Sequence, residues 1–215
     1  MRANESQEIL RKPRIRMAPS ARRELILAEA TDFFAQYGFD GATRDLADKI
    51  GIKQPLIYRY FPSKESLVRE VFNAVCRQRF HGEWRRHLDD LQRPIRERFT
   101  AFYKEFLAAT FHPTATRIFL FAGLARLSDT KEFSTFVEDT IFTELAKHLR
   151  SHLKLLPLPE APLNETERAV LWLHHGGICF HGIRTELYLD QPFPETKFIE
   201  ASVDAMIKSY PRIGE

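Results

Sequence analysis

Thr43–Ser66, TRDLADKIGIKQPLIYRYFPSKES, decides how the rest of this sequence is read. Thr43 is placed to cap a helix, with Asp45 in the first turn, where a carboxylate suits the helix dipole. Leu46, Ala47 and Ile50 then share one face. Gly51 stops the helix, because glycine takes the left-handed conformation at low cost. Ile52 and Ile57 supply apolar contacts for a second short helix, and Ala47 is small where the two helices cross. That is the spacing of a helix-turn-helix, in which the second helix packs across the first and still projects into a DNA groove. An ordinary helical hairpin fits the bare pattern as well.

The flanking residues separate these readings. Tyr58-Arg59-Tyr60-Phe61-Pro62-Ser63-Lys64-Glu65-Ser66-Leu67 resembles the segment that closes the DNA-binding domain in the TetR (TetR/AcrR) family of bacterial transcriptional regulators. Phe33-Phe34-Ala35-Gln36-Tyr37-Gly38-Phe39, Thr43, Asp45-Leu46-Ala47 and Gly51-Ile52 are similar to the same family's first helices. The resemblance spans about Arg22 to Val71. It implies an all-α fold, with an N-terminal three-helix helix-turn-helix domain and a larger helical ligand-binding and dimerisation domain. One departure stands out: Lys53 and Pro55 replace the Ser and Gly often found there, so the bases read need not be those of other members. Proline is tolerated at the start of a helix, where its missing N–H leaves no bond unmade.

The reading helix is expected over about Gln54 to Tyr60. Gln54, Leu56 and Arg59 are candidates for base contact, since Gln pairs bidentately with adenine and Leu touches a thymine methyl. Thr43, Lys53, Tyr58, Tyr60 and Lys64 suit phosphate contacts that position without reading sequence. Tyr58, Tyr60 and Lys64 match family positions that grip the backbone. Arg44 and Pro55 complete the expected DNA-facing set.

Charge agrees with this placement. The net charge is only +3, but residues 1–23 hold seven basic side chains against two acidic ones. Residues 1–19 read as a basic arm, in which Arg14 and Arg16 could follow phosphates or enter a minor groove. A solvated tail is the plain alternative. Residues 20–66 form the expected DNA-binding domain and residues 67–215 the effector-binding and dimerisation domain.

Ser20 reads as the cap of the first helix, whose apolar face is Ile26, Leu27, Ala30, Phe33, Phe34 and Tyr37. Ser63 caps a lever helix running to about Arg86, roughly 30 Å long at 1.5 Å per residue, with Gly82 as a weak point. Pro94 and Pro113 open two more helices. A long helix follows from Asp129, and a proline-rich loop spans 156–163. Asn164 with Glu167 reads as a cap and its reciprocal acid, starting a helix to about Tyr188. The last helix runs from Glu195 to Tyr210. By resemblance, the final two helices would pair with their copies in a homodimer.

The 215 residues include 18 Phe and only 9 Gly, which suits a packed helical protein. Two cysteines, Cys76 and Cys179, are too few for a disulfide scaffold and fit a cytoplasmic setting. No apolar run is long enough to span a membrane, so no membrane partner is expected. The phenylalanine-rich middle offers candidate pocket residues: Phe99, Phe102, Tyr103, Phe106, His112, Phe119, Phe121 and Phe136, with His174 and His175. Their chemistry favours an apolar or aromatic small-molecule effector, although such stripes also serve plain core packing. His174, His175, Cys179 and His181 have helical spacing for metal ligation, but no second ligand cluster completes a site. No metal, cofactor or catalytic residue is expected, and no nucleophile or phosphate-loop motif is present.

These features predict a dimeric, ligand-responsive repressor that binds double-stranded DNA. A constitutive DNA-binding regulator without an effector is the alternative, and an enzyme built on the histidine-rich helix is the more distant rival.

Overall fold

The computed structural model describes residues 17–77, 84–188 and 194–212. Residues 1–16 of the expected arm, Gly82 and the side chain of Cys76 lie outside those residues. Pro19, the last residue expected in the arm, is already helical, and Arg86, the expected end of the lever helix, falls in a separate short helix, Arg85–Asp89. The described residues form helices and connecting turns, with no strand among them.

Helix α1 (Pro19–Tyr37) begins two residues earlier than a cap at Ser20 implies. Pro19 occupies its first turn and Ala18 its N-cap, so Ser20 is already inside. Proline fits there because its fixed φ is helical and its N–H would be unpaired. Helix α2 (Thr43–Ile50) ends at Gly51, whose φ of 73° and ψ of 33° are left-handed. The Gly51 and Ile52 N–H groups then close the turn on Asp48 O and Ala47 O at 3.1 and 2.9 Å. Helix α3 is Gln54–Tyr60. Helix α4 (Lys64–Phe72) carries the expected Ser63 cap: Ser63 Oγ accepts the Ser66 N–H, and Ser66 Oγ accepts the Ser63 N–H, both at 3.1 Å. A wider π-helical turn, Asn73–Arg77, continues it.

Beyond the undescribed segment come α5 (Arg85–Asp89), α6 (Ile95–Thr110, with Pro94 as N-cap rather than first helical residue) and α7 (Pro113–Leu124). Helix α8 (Ser128–Phe136) runs through a second π-helical turn, Val137–Phe142, into α9 (Thr143–Leu153). Helix α10 is Glu165–Leu187 and α11 is Glu195–Ser209.

Two apolar clusters organise these helices. The first joins Ile26, Ala30, Phe33 and Phe34 of α1 to Leu46, Ala47, Ile57 and Phe61, and to Leu67, Val68, Val71 and Phe72 of α4. It also takes in Ala115, Ile118 and Ala122 of α7, far away in sequence. The second gathers the inward faces of α6, the second π-helical turn, α9, α10 and α11, including Phe99, Phe102, Tyr103, Phe142, Leu145, Leu171, Ile178, Ile199 and Val203. Helix α7 therefore touches both halves: it packs on α1 and α4 and also on α10. Phe121 extends the first contact, its ring centroid 6.3 Å from that of Phe39.

A buried polar knot anchors the start of α10. Arg150 Nε and Nη2 donate to Glu167 Oε1 and Oε2 at 2.7 and 2.6 Å, with side chains 1% and 0% exposed. Arg150 also donates to the carbonyls of Leu156, Ala161 and Pro162, which holds the proline-rich loop. Tyr210 Oη donates to Glu167 Oε1 at 2.8 Å, tying down the end of α11. The expected cap is present as well: Glu167 N–H donates to Asn164 Oδ1 at 2.9 Å, and Asn164 N–H to Glu167 Oε2 at 3.0 Å.

Candidate nucleic-acid interface

The helix-turn-helix is built so that its inner side chains are fixed and its outer ones are free to reach. Leu46, Ala47 and Ile57 are fully buried. Arg44, Lys53, Pro55, Tyr58 and Arg59 are exposed, while Gln54, Leu56, Tyr60 and Lys64 are half-buried. The residues expected to face DNA are thus exposed or half-buried, except Thr43. The Tyr60 ring also packs on the first cluster.

Thr43 is buried and does not cap α2; Ala42 is the N-cap. Its hydroxyl instead lies 2.8 Å from Tyr58 Oη and accepts a 2.8 Å bond from Gln54 Nε2. This three-residue link fixes the start of α3 against α2 and orients both Gln54 and Tyr58. No side chain caps α3 at Lys53, and Pro55 lies in its first turn. Phe61 ends α3 beneath the Arg23 guanidinium, 4.8 Å from the ring centroid. An Arg23–Glu70 ion pair at 3.0 Å joins α1 to α4 nearby.

The larger half contains an apolar cavity of about 170 Å³ among the π-helical turns, α6, α7 and α10. Of the ten residues expected to line a pocket, Phe106, Phe119 and His175 do so. Phe99, Phe102 and Tyr103 are in the second core, Phe136 packs against that core, and Phe121 turns toward Phe39. His112 is the N-cap of α7, its Nδ1 accepting the Ala115 N–H at 3.4 Å. His174 binds Ser209 Oγ at 2.9 Å on the other side of α10. The wall also includes Val75, Thr116, Trp172 and Cys179. Cys179 stands four residues after His175 in the histidine-rich run and Trp172 three residues before it, so both follow the helical spacing of His175 into the wall. For Val75 and Thr116 the sequence carries no signal beyond helical spacing.

His175 sits among rings, with centroids of Phe106, Phe142, Tyr103 and Trp172 at 5.1, 5.4, 5.9 and 6.1 Å. Burial lowers its pKa to about 4 and raises that of Cys179 to about 12, so both are neutral near pH 7. Trp172 is oriented by Glu138, whose Oε1 accepts the indole N–H at 2.7 Å, while Arg168 binds Oε2 at 2.8 Å.

The histidine-rich helix does not gather metal ligands: His174 meets Ser209, His175 meets aromatic rings, and His181 stacks on Phe198 at 4.4 Å. Elsewhere among the described residues, Asp89, Glu144 and His148 approach one another within 4.8 Å. There Glu144 pairs with Arg85 at 3.1 Å and Lys147 at 3.5 Å, and Arg98 Nη1 lies 3.3 Å from His148 Nδ1. Those cations occupy the charge that a metal would need.

Residues 26–71 match the profile described as bacterial regulatory proteins, tetR family. Relatives are HTH-type transcriptional regulators. LuxR of Vibrio harveyi is 35% identical over 71 residues, which cover 33% of this chain and 35% of that protein. RutR of Escherichia coli K12 is 40% identical over 62 residues, covering 28% and 27%. EthR of Mycolicibacterium smegmatis is 33% identical over 123 residues, covering 54% and 52%. The matched stretch spans about a third of LuxR and about half of EthR. Among solved structures, the TetR-family regulator PfmR of Thermus thermophilus aligns with a TM-score of 0.57 at 18% identity, over 87% of this chain and 99% of that one. A tetR-family regulator from Streptomyces coelicolor aligns at 0.54 and 20% identity, over 88% and 80%. At these identities the structural likeness speaks for the fold.

Proposed function

We propose that this chain, whose residues 26–71 match the tetR family of bacterial regulatory proteins, is a sequence-specific DNA-binding transcriptional regulator, a repressor released by a small molecule. The observation that carries this reading is the fixed corner of α2 and α3. Its outer surface offers Lys53, Pro55, Tyr58 and Arg59, while Thr43 locks Gln54 and Tyr58 in place. Residues 20–66 are the reading unit in this proposal, and residues 67–215 bind effector and the second copy. Gln54, Leu56 and Arg59 read bases; Lys53, Tyr58, Tyr60 and Lys64 hold phosphates, with Arg44 beside them.

A second copy is supported by the outer face of α10. Leu173 and Phe180 are 70% and 52% exposed and lie seven residues apart, with Gly177 between them on the same stripe. Ala201 and Ala205 are exposed on neighbouring α11. Apolar side chains of that size on one helical stripe suit a partner helix. Two reading helices in one dimer would meet successive major grooves about 34–36 Å apart.

Effector control is supported by the position of the cavity. Its wall includes Val75, on the helical run that continues α4 out of the reading unit, and Thr116 and Phe119 of α7. An occupant that prefers one arrangement of those helices changes the spacing of the reading helices by its differential affinity, about 2.7 kcal/mol for a hundredfold preference.

Selection of bound sequences from random DNA tests the reading. A near-palindromic site should emerge, and the combined Tyr58→Ala, Lys64→Ala variant should lose it at moderate salt. Unchanged specific binding by that variant removes the assignment.

A further inference from the structure

The cavity wall narrows the chemistry of its ligand, an inference that rests on the effector reading above. Size comes first. A buried cavity of about 150 Å³ holds one benzene, and this one is about 170 Å³, so a single ring fills it. Charge comes second. No Asp, Glu, Lys or Arg is among the described residues of the wall, and an ion entering it would lose its hydration without a counter-charge. Polarity comes third. Thr116 and His175 are 1% and 3% exposed, and Thr116 Oγ1 and His175 Nδ1 are buried without a hydrogen-bond partner. Buried polar atoms are almost always paired, so two orphans in one apolar wall point to a ligand group. A threonine hydroxyl both donates and accepts, and an imidazole nitrogen does one or the other. A ligand hydroxyl can serve both.

We propose that the cavity takes an uncharged single-ring aromatic molecule bearing one hydroxyl, a phenol-class compound. Its ring packs among Phe106, Phe111, Phe119 and Trp172, and its hydroxyl pairs with Thr116 and His175. The neutral imidazole and thiol of His175 and Cys179 keep the site free of charge near neutral pH.

Calorimetric titration of the full chain with phenol, toluene, benzoate and benzylamine near neutral pH tests this. Phenol should bind about tenfold more tightly than toluene, the scale of one buried hydrogen bond, and the two ions should not register. Thr116→Val should bring phenol close to toluene, and Thr116→Ser should restore the gap, which separates a lost hydroxyl from a damaged fold. The proposal is overturned if either ion matches phenol, if Thr116→Val leaves the preference intact in a folded protein, or if none of the four compounds binds. Operator binding by the same samples is followed in parallel. Failure of the ring compounds beside intact DNA binding removes the ligand class alone, whereas phenol binding without specific DNA binding removes the regulator and leaves the site.

Discussion

At Thr43 the hydroxyl that could have capped α2 serves two side chains of the reading helix instead. Tyr58→Phe removes one of those bonds and should weaken operator binding about fivefold, the effect of roughly 1 kcal/mol. Gln54→Ala should act differently, relaxing base preference at one half-site position by about 1–3 kcal/mol. Lys64→Ala should weaken binding to all sequences and lower the salt slope by about 1. Fluorescence anisotropy with the selected site and single-base variants separates the three. His175 makes a second prediction at this scale. The unfolded chain protonates this imidazole near 6.5, the folded chain only near 4. Between those values the unfolded state holds the extra proton, so stability falls as pH drops from 6.5 to 4, by about 3 kcal/mol. Urea midpoints across that range measure the slope, and His175→Gln should flatten it.

Among the elements, the start of α10 depends most on one interaction. Burial pushes the Glu167 carboxyl up, but the bonds from Arg150, the Asn164 N–H and Tyr210 outweigh it and hold the pKa below the ordinary value. This stabilisation is present above the ordinary carboxylate range and is lost as pH falls below it. Glu167→Ala leaves Arg150 buried and unpaired and should cost about 3–5 kcal/mol in urea unfolding. Changing both residues, Arg150→Met with Glu167→Leu, should cost clearly less. The two halves of this feature differ in how readable they were. Asn164 and Glu167 are three residues apart, and local capping rules identified them. Arg150 lies 17 residues before Glu167, and no short-range pattern connects them. The same limit explains the cavity. Periodicity found the inward face of α6, but not which inward side chains meet a void rather than a neighbour. Phe99 and Phe106 share a face, yet only Phe106 reaches the wall. Helix starts shifted where two signals competed, as with Pro19 against Ser20. Apart from Thr43, whose buried hydroxyl turns to Gln54 and Tyr58 instead of capping α2, the helix-turn-helix was legible because its capping glycine, its crossing alanine and its apolar positions all lie within 24 residues.

For the whole molecule, the proposed dimer brings two reading units together through the outer face of α10. Leu173→Glu with Phe180→Glu places two charges on the proposed dimer surface without touching either core. Sedimentation should show the mass halved, and operator affinity should drop because each half-site is then bound alone. The first core also sets a limit on modularity. Ala115, Ile118 and Ala122 of α7 close the apolar cluster that α1 and α4 begin. Residues 20–66 are therefore not a transferable cassette. Grafted onto an unrelated body, they would present an uncovered greasy flank and tend to aggregate. A working hybrid regulator would need α4 and α7 to travel with them, and with α7 would come part of the cavity wall.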